Sequence, residues 1–222
     1  MISEERLDEF ASKYLKKDSI IAVGADELGE KLLKKIALKN EQESLDLKIV
    51  PTASHIAALC SSLHLQIASI NEHEVDTAFE FVDLVDNNYN FVKRNSYSLV
   101  RDKMIAQSAA ELIIMANRES FAEKIHGLIP FEISTFGHHR TLMQLQKLGK
   151  AKLRMKGGHP LKTETGHYLV DVDCDEIYSL DDLEFQAKTI AGVLETGLFI
   201  GYADRIILHN DKIEVKSRIQ KK

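Results

Sequence analysis

The sequence predicts an α/β protein in which a doubly wound parallel sheet is joined to a smaller, inserted α+β domain. Over residues 1–129, short apolar runs alternate with longer stretches of helical periodicity. This alternation is typical of parallel strands that are covered by helices on both faces. Runs such as Ile20–Val23 and Leu112–Ala116 are apolar throughout, as expected for strands that are buried on both sides. After Pro130 the order of the predicted elements changes, which indicates a second domain of another class.

The first part of the chain supplies the elements of the parallel sheet. Leu7, Phe10 and Tyr14 recur at helical spacing and give the first helix an apolar face. The predicted strands are Ser19–Gly24, Leu47–Val50, Gln66–Ile70, Phe79–Val82 and Leu112–Ala116. One helix between them carries Leu28 and Leu32 inward, and another begins at a predicted N-cap, Ser54. Near the end of the chain, Arg205–Leu208 and Lys212–Val215 form a predicted hairpin, which we expect to return to this sheet.

The later part of the chain has the element order β-α-β-β-α-β. Its predicted strands are Phe131–Ser134, Lys152–Met155, Tyr168–Asp173 and Val193–Phe199. A helix from His138 to Leu148 follows the first strand, and a helix capped by Ser179 follows the third. This order is that of the ferredoxin-like fold. We therefore expect a Rossmann-like domain of residues 1–129 plus 203–222, with a ferredoxin-like small domain of residues 130–202 between its two parts.

Composition excludes some classes of function. The 222 residues are 44% hydrophobic and 28% charged, as in ordinary globular proteins, and the net charge of −5 argues against a nucleic-acid partner. Cys60 and Cys174 have no metal-binding or disulfide spacing, and we expect no metal and no cofactor. The acidic start of the chain is unlike a signal peptide, and no apolar run reaches the roughly 20 residues that span a bilayer. We expect a cytoplasmic protein without a membrane partner.

The segment Phe79–Met104 contains the residues that are best suited to chemistry. Asp83 and Asp86 follow one predicted strand, Lys93 follows another, and Asp102 lies in the first turns of a predicted helix. Carboxylates and a lysine that meet at strand ends form a candidate proton-transfer site. The alternative is a set of solvated loop charges with no function in catalysis.

The order of these residues resembles the core signature of the A-type ribose-5-phosphate isomerases. That signature reads D-G-A-D-E, K-G-G-G, a leucine, and R-E-K, and the corresponding positions here are 83–87, 93–96, Leu99 and 101–103. Both aspartates, the lysine and the arginine match. Further similarities to the family occur in the expected order at Val50-Pro51-Thr52, Ile129–Ile133, Leu169–Val172 and Thr196–Phe199. The resemblance therefore extends over most of the chain.

The resemblance implies an aldose–ketose isomerase that interconverts ribose 5-phosphate and ribulose 5-phosphate through an enediolate. It assigns the role of base to Asp102 and that of oxyanion or ring-opening partner to Lys93, with Asp83 and Asp86 as supporting acids. It also assigns substrate binding to a second set of residues, Thr52, Arg94, Asn95, Ser96 and Arg101. The partners that it implies are a small sugar or sugar phosphate and a second copy of the chain, in a homodimer or homotetramer.

Several positions depart from the family pattern. Asp102 is one methylene shorter than the glutamate of the family, and Arg94, Asn95 and Ser96 replace three glycines. The family loop G-T-G-S-T, which binds phosphate, is here Gly24–Leu28 and contains two carboxylates, Asp26 and Glu27, which we expect to act as ordinary helix caps.

A further lysine of the family corresponds to Ser120, and Arg94 or Arg118 is a candidate to replace the missing positive charge. These departures predict a degenerate active site with weak or lost isomerase activity. The alternative function is that of a non-catalytic relative that binds another ligand or a protein partner.

Overall fold

The computed structural model describes residues 4–174, 176–210 and 213–218. The chain divides into two compact units. The first consists of Met1–Phe81, Met104–Glu119 and Ala203–Lys222, and the second of Val82–Lys103 and Ser120–Tyr202. These units differ from the division that the sequence predicts, because residues 82–103 and 120–129 belong to the second unit rather than the first. The predicted boundaries at 129 and 203 stay predictions for domains that fold separately.

The elements of the first half, in chain order, are α1 (Glu4–Tyr14), β1 (Ile20–Val23), α2 (Glu27–Glu43), β2 (Lys48–Pro51), α3 (Ser54–Ser62), β3 (Gln66–Ile67), β4 (Val75–Phe81), β5 (Leu84–Val85), β6 (Phe91–Val92), α4 (Leu99–Ser108) and β7 (Ala109–Asn117). The second half contains β8 (Gly127–Ile133), α5 (His138–Leu145), β9 (Lys150–Leu153), β10 (Met155–Lys156), β11 (His159–Pro160), β12 (Tyr168–Cys174), α6 (Leu180–Lys188), β13 (Val193–Thr196), β14 (Leu198–Phe199), β15 (Arg205–His209) and β16 (Ile213–Ser217).

The first unit is built on a seven-stranded sheet with the order β3-β2-β1-β4-β7-β15-β16. The first six strands in this order are parallel, and β16 adds to the edge as an antiparallel strand. Counted along the chain, the six parallel strands have the order 3-2-1-4-5-6, which is that of the Rossmann fold. The Rossmann-like prediction is therefore confirmed. Lys212, at which the last strand is predicted to begin, lies outside the described residues.

Apolar side chains on the faces of this sheet form the core of the first unit. Ile21 and Phe79 on the central strands are fully buried, and so are Leu32, Leu33 and Ile36 of α2. These helical residues are spaced so that they face the sheet together, which is why this sequence forms an amphipathic helix here. The helix begins at Asp26, whose carboxylate accepts a hydrogen bond from the N–H of Leu28. Asp26 therefore caps the helix, as predicted.

The second unit contains a four-stranded antiparallel sheet with the order β13-β8-β12-β9, which is packed with α5 and α6. The element order β-α-β-β-α-β and this strand order confirm the ferredoxin-like prediction. A separate sheet of three short strands, β14-β6-β5, completes the unit together with the small β10–β11 pair. The N-cap prediction for α6 is also confirmed, because Ser179 accepts a hydrogen bond from the N–H of Asp182.

Two local predictions are wrong. The N-cap of α3 is Ala53, and Ser54 is instead the first residue of the helix. The predicted strand Val193–Phe199 is divided at Gly197 into two strands that belong to different sheets. A Cβ atom at Gly197 would lie 2.5 Å from Cγ of Pro130 and 2.9 Å from the carbonyl oxygen of Lys93. Only glycine fits at this crossing, which explains why the strand breaks there.

Candidate active site

The candidate site lies in the second unit. Its residues come from the end of β6 and the beginning of α4, which are close together in the sequence. Lys93 follows β6 directly, and its N–H donates to the carbonyl of Gly197 over 3.0 Å. Asp102 lies in the first turn of α4, where its N–H donates to the carbonyl of Ser98 over 3.0 Å. Both side chains are therefore attached to backbone that is fixed by hydrogen bonds.

Lys93 and Asp102 form a buried ion pair. The distance from Nζ of Lys93 to Oδ2 of Asp102 is 2.8 Å, and only 5% and 4% of the two side chains are exposed. The hydroxyl of Ser96 donates to the same carboxylate oxygen over 2.7 Å. The structure thus brings together a cation, a carboxylate and a hydroxyl, the three groups needed to move a proton and to stabilise the charge that results.

Asp83 binds the segment that follows Lys93. Its Oδ2 atom accepts hydrogen bonds from the N–H groups of Arg94 (2.7 Å) and Asn95 (3.3 Å). Its Oδ1 atom accepts one from the side-chain amide of Asn95 (3.0 Å). Two backbone amides of the segment at which the sequence places substrate binding therefore donate to Asp83.

Asp86 is part of a tight turn. Its Oδ1 atom accepts from the N–H groups of Asn88 (2.8 Å) and Asn90 (3.0 Å), and its Oδ2 atom accepts from the side-chain amide of Asn90 (2.8 Å). An aspartate that binds its own following backbone in this way stabilises a turn. The carboxylate is buried, and these hydrogen bonds connect β5 to β6.

The residues that replace the three glycines fit without backbone strain. Arg94, Asn95 and Ser96 are not among the residues with positive φ. The side chains of Asn95 and Ser96 bind Asp83 and Asp102, as described above. The guanidinium of Arg94 donates to the carbonyls of Leu128 (3.0 Å) and His126 (3.1 Å). In this structure Arg94 therefore binds the backbone around the beginning of β8.

The remaining predicted binding residues have other partners. Arg101 forms an ion pair with Glu164, with 2.6 Å between its NH1 atom and Oε2. Thr52 belongs to the first unit, where its hydroxyl donates to the carbonyl of Val23 over 2.9 Å. Arg118, also in the first unit, pairs with Glu214.

The loop that corresponds to the phosphate loop of the family lies after β1 in the first unit. Asp26 caps α2, and Glu27 pairs with Lys31 one turn later at 2.7 Å. The carboxylate of Glu80 is buried beside this loop, and a Cβ atom at Gly24 would lie 2.5 Å from its Oε2 atom. Three carboxylates therefore surround the N-terminus of α2.

Sequence reasoning missed a buried carboxylate that organises the start of α4. Glu132 is fully buried on β8. Its Oε2 atom accepts from the N–H of Val100 (3.0 Å) and the hydroxyl of Ser98 (3.1 Å). Its Oε1 atom accepts from a second group of donors on the loop before β12, namely Thr165 (2.5 Å), Thr163 (2.7 Å) and Nδ1 of His167 (3.0 Å).

These hydrogen bonds control the charge of Glu132. Burial alone would raise its pKa, but hydrogen bonds from Thr165, Val100, Thr163 and His167 outweigh it, and the pKa is lowered. The ionised carboxylate thus holds the N-terminus of α4, which carries Asp102. The one signal in the sequence was a glutamate within an otherwise apolar strand, because such a charge needs buried partners.

Lys103, the last residue of the R-x-K triplet, binds a different part of the second unit. Its ammonium lies 2.9 Å from Oε1 of Glu184 and 2.8 Å from Oε1 of Glu195, and it also donates to the carbonyl of Leu198. Burial would raise the pKa of Glu195, but the Lys103 charge and hydrogen bonds outweigh it, and the pKa is lowered. Lys103 thereby links α4 to α6 and β13.

A cleft of about 330 Å³ opens next to this site within the second unit. Its lining includes Asn95, Ser96 and Tyr97 from the segment after β6, and Lys156 and Lys162 from the region between β9 and β12. Ser96, which lines the cleft, is the residue whose hydroxyl binds Asp102. A larger cavity of about 550 Å³ lies along α5 and α6 and is lined by none of the predicted site residues.

The described residues include neither a cluster suited to a metal ion nor a helix suited to crossing a membrane. Within the described ranges, no three histidine, cysteine, aspartate or glutamate side chains are grouped so that they could hold a metal ion. Over the same part of the chain, no helix combines the length and apolar character needed to cross a membrane.

Comparisons of sequence identify related proteins. The profile of the family described as ribose 5-phosphate isomerase A (phosphoriboisomerase A) matches residues 48–212. A ribose-5-phosphate isomerase A of Bacillus mycoides is 29% identical over 204 residues, which cover 90% of this chain and 92% of the relative. The ribose-5-phosphate isomerase A 1 of Oceanobacillus iheyensis is 27% identical over 217 residues, covering 96% and 97% of the two chains.

Solved structures support the same architecture. The ribose 5-phosphate isomerase A of Methanocaldococcus jannaschii matches with a TM-score of 0.88 at 20% identity, covering 97% of this chain and all of that one. A D-ribose-5-phosphate isomerase in complex with phospho-erythronic acid matches with a TM-score of 0.89 at 24% identity, covering 98% and 100%. At these identities the likeness concerns the fold.

Proposed function

Since this chain belongs to the ribose-5-phosphate isomerase A family, we propose that it binds a sugar phosphate and interconverts the aldose and ketose forms slowly. The observation that supports this most directly is the buried ion pair of Lys93 and Asp102 with the Ser96 hydroxyl. The curated relatives are named for the same reaction, and one related structure is a complex with a phosphorylated sugar acid.

In this proposal Asp102 is the base that removes the proton from C2 of the open-chain sugar. Lys93 stabilises the negative charge that develops on the neighbouring oxygen, and Asp83 acts as a supporting acid. Ser96 holds the Asp102 carboxylate in place. Asp86 supports the site through the turn that it stabilises, and Arg101 contributes to substrate binding.

Slow turnover follows from three features. Asp102 is shorter than the family glutamate, and a misplacement of about 1 Å can cost on the order of a hundredfold in rate. The backbone N–H groups of Arg94 and Asn95 already donate hydrogen bonds to Asp83. The loss of one donor to a developing oxyanion lowers the rate about 10²–10³-fold. The carboxylates at the start of α2 repel a phosphate there. We therefore expect kcat of about 10⁻² s⁻¹ or less, a thousandfold below the median of about 10 s⁻¹ for enzymes.

A second candidate function is ligand binding without turnover. Each of the three carboxylates in the candidate site already accepts hydrogen bonds within the protein. When Asp102 takes up a proton, its ion pair with Lys93 weakens, and this cost opposes catalysis. In this alternative the cluster stabilises the second unit, and the cleft binds a sugar phosphate that is not converted.

Steady-state kinetics with ribose 5-phosphate, with ribulose 5-phosphate detected by a coupled assay, distinguish these possibilities. We expect slow turnover that is abolished in Asp102→Asn and unchanged in the exposed control Glu123→Gln. No turnover above the uncatalysed rate would favour ligand binding alone. A kcat of several per second, lost in both Arg94→Gly and Asp102→Asn, would contradict the proposal and indicate an active site rebuilt around Arg94.

We further propose that the chain forms a homodimer or homotetramer. The second unit exposes large apolar side chains on or beside its helices, with exposures of 91% for Phe136, 72% for Phe185 and 61% for Met143. Exposed groups of this kind are typical of association surfaces. Light scattering after size-exclusion chromatography measures the mass in solution. A monomer at all concentrations would contradict this proposal.

A further inference from the structure

The cleft beside Ser96 is positively charged in a protein whose overall charge is −5. The ionisable side chains that line it are Arg154, Lys156, Lys162 and Glu164, which gives three cations against one carboxylate and a net charge of +2. A concave surface with a local excess of positive charge concentrates anions.

Two of the lining cations are available to a ligand. Arg154 forms a two-point ion pair with Asp171, and Glu164 pairs with Arg101. By contrast, Lys156 and Lys162 are exposed and form no ion pair with any described carboxylate within 4.0 Å. The positive charge offered by the cleft therefore comes mainly from these two lysines.

The walls of the cleft are joined by hydrogen bonds. The N–H of Glu164 donates to the carbonyl of Tyr97 over 2.9 Å, which connects the segment that contains Lys162 to the segment that contains Ser96. The hydroxyl of Thr163 is held by Glu132 at 2.7 Å, and the N–H of Leu161 donates to the carbonyl of Arg154 at 2.8 Å. The cleft is therefore largely formed before a ligand binds, which lowers the entropic cost of binding.

The size and polarity of the cleft fit a small phosphorylated sugar. Its volume of about 330 Å³ is near the lower end of the range of about 300–1,000 Å³ for small-ligand pockets. Asn95 and Ser96 offer amide and hydroxyl groups to a polyol, and Tyr97 and Leu161 offer apolar surface.

We propose that Lys156 and Lys162 hold the phosphate of an open-chain sugar phosphate in this cleft, with its carbon chain directed towards Ser96 and Asp102. This inference rests on the proposed function, and it supplies the phosphate site that the carboxylates at the start of α2 exclude. The ligand class is a phosphate monoester of a short polyol. Recognition by two flexible ammonium groups makes binding sensitive to salt.

Titration calorimetry of the full chain tests this proposal, with ribose 5-phosphate, ribose and inorganic phosphate as probes at low and at moderate salt. We expect ribose 5-phosphate to bind at least tenfold more tightly than ribose, and inorganic phosphate to compete with it. In Lys156→Glu with Lys162→Glu, the affinity for ribose 5-phosphate should fall at least tenfold, to the level of ribose. The matched control is Lys124→Glu with Lys152→Glu, which changes the net charge equally at exposed positions outside the cleft.

The control variant should bind ribose 5-phosphate within about twofold of the unmodified chain. The proposal is overturned if the two double variants lose equal affinity, if neither loses any, or if the unmodified chain binds ribose as tightly as ribose 5-phosphate. Circular dichroism checks that both variants are folded, and Lys156→Gln with Lys162→Gln repeats the test without charge reversal. Fast turnover by the unmodified chain would contradict the proposed slow isomerisation but not the phosphate site. Unchanged affinity for ribose 5-phosphate in the lysine double variant would contradict the phosphate site but not the proposed function.

Discussion

The ammonium of Lys93 lies 2.8 Å from the carboxylate of Asp102, with both side chains almost completely buried. A buried pair of this kind costs several kcal/mol of desolvation per ion, which the mutual attraction and further hydrogen bonds must offset. Ser96 provides one such hydrogen bond. The pair is therefore both the chemical centre of the candidate site and a stability-sensitive part of the second unit.

Removing either partner of this pair should destabilise the protein strongly. We expect Lys93→Met and Asp102→Leu each to lower the free energy of unfolding by about 3–5 kcal/mol, because each leaves one buried charge without its partner. The double variant should lose clearly less than the sum of the two. Chemical denaturation of the unmodified protein, the two single variants and the double variant measures this double-mutant cycle. If the two losses in free energy of unfolding are additive, the ion pair contributes no coupling energy.

Lengthening the proposed base should increase turnover. Asp102→Glu restores the length of the family glutamate. We expect kcat on ribose 5-phosphate to rise about tenfold, because a displacement of the base by about 1 Å can change the rate by up to a hundredfold. Asp102→Asn, which keeps the shape without the charge, should have no turnover. If all three proteins have equal rates, Asp102 does not take part in the reaction.

Phosphate should not bind at the N-terminus of α2. The N–H of Leu28 already donates to Asp26, the Glu27 carboxylate adds negative charge at the start of the helix, and the Glu80 side chain is buried beside Gly24. In crystals soaked in phosphate or sulfate, we expect no anion on the amides of residues 24–28. Asp26→Ser with Glu27→Thr serves as the comparison, because it restores small hydroxyl side chains. An anion held by those amides in the unmodified protein would refute this prediction.

The stability of the protein should depend on pH through Glu132. Its pKa is lowered in the folded state, so the ionised form stabilises the fold above the unfolded pKa of about 4.3. This contribution is lost as the pH falls through the lower, folded pKa. Glu132→Gln should therefore cost about 1.5–3 kcal/mol at pH 7, since it weakens hydrogen bonds to a charged group.

The difference in free energy of unfolding between the unmodified protein and Glu132→Gln should become smaller as the pH falls below about 4.3. Urea denaturation over pH 7 to pH 3 measures this difference, and Glu123→Gln at an exposed site is the control. A difference that stays constant or widens at low pH would show that Glu132 is not ionised in the folded protein.

Local sequence patterns were sufficient for the architecture. Fully apolar runs such as Ile20–Val23 and the helical spacing of Leu32, Leu33 and Ile36 depend only on neighbours in the chain, and they predicted both the Rossmann-like sheet and the ferredoxin-like unit. The division at Gly197 escaped prediction. It results from close approach to Pro130, which lies 67 positions earlier in the sequence.

The candidate site was predictable only in part. The resemblance placed Lys93 and Asp102 in one constellation, and the structure brings their side chains together. The partners of Glu132 lie 31 to 35 positions away in both directions, and no local pattern reports such contacts. For the same reason, the sequence could not show that Asp86 binds its own turn or that Arg94 binds the backbone around β8.

The second unit is made of two separate stretches of chain, and this has a consequence during protein synthesis. Lys103 ends the first stretch, whereas its carboxylate partners Glu184 and Glu195 lie near the end of the second. A ribosome that adds about 5–20 residues per second needs roughly 5–20 s to make the intervening segment. For that time the lysine has neither carboxylate, and the unit that contains the candidate site cannot close around it. Folding of this unit is therefore completed only after Glu195 has been synthesised, whatever the first unit has already done.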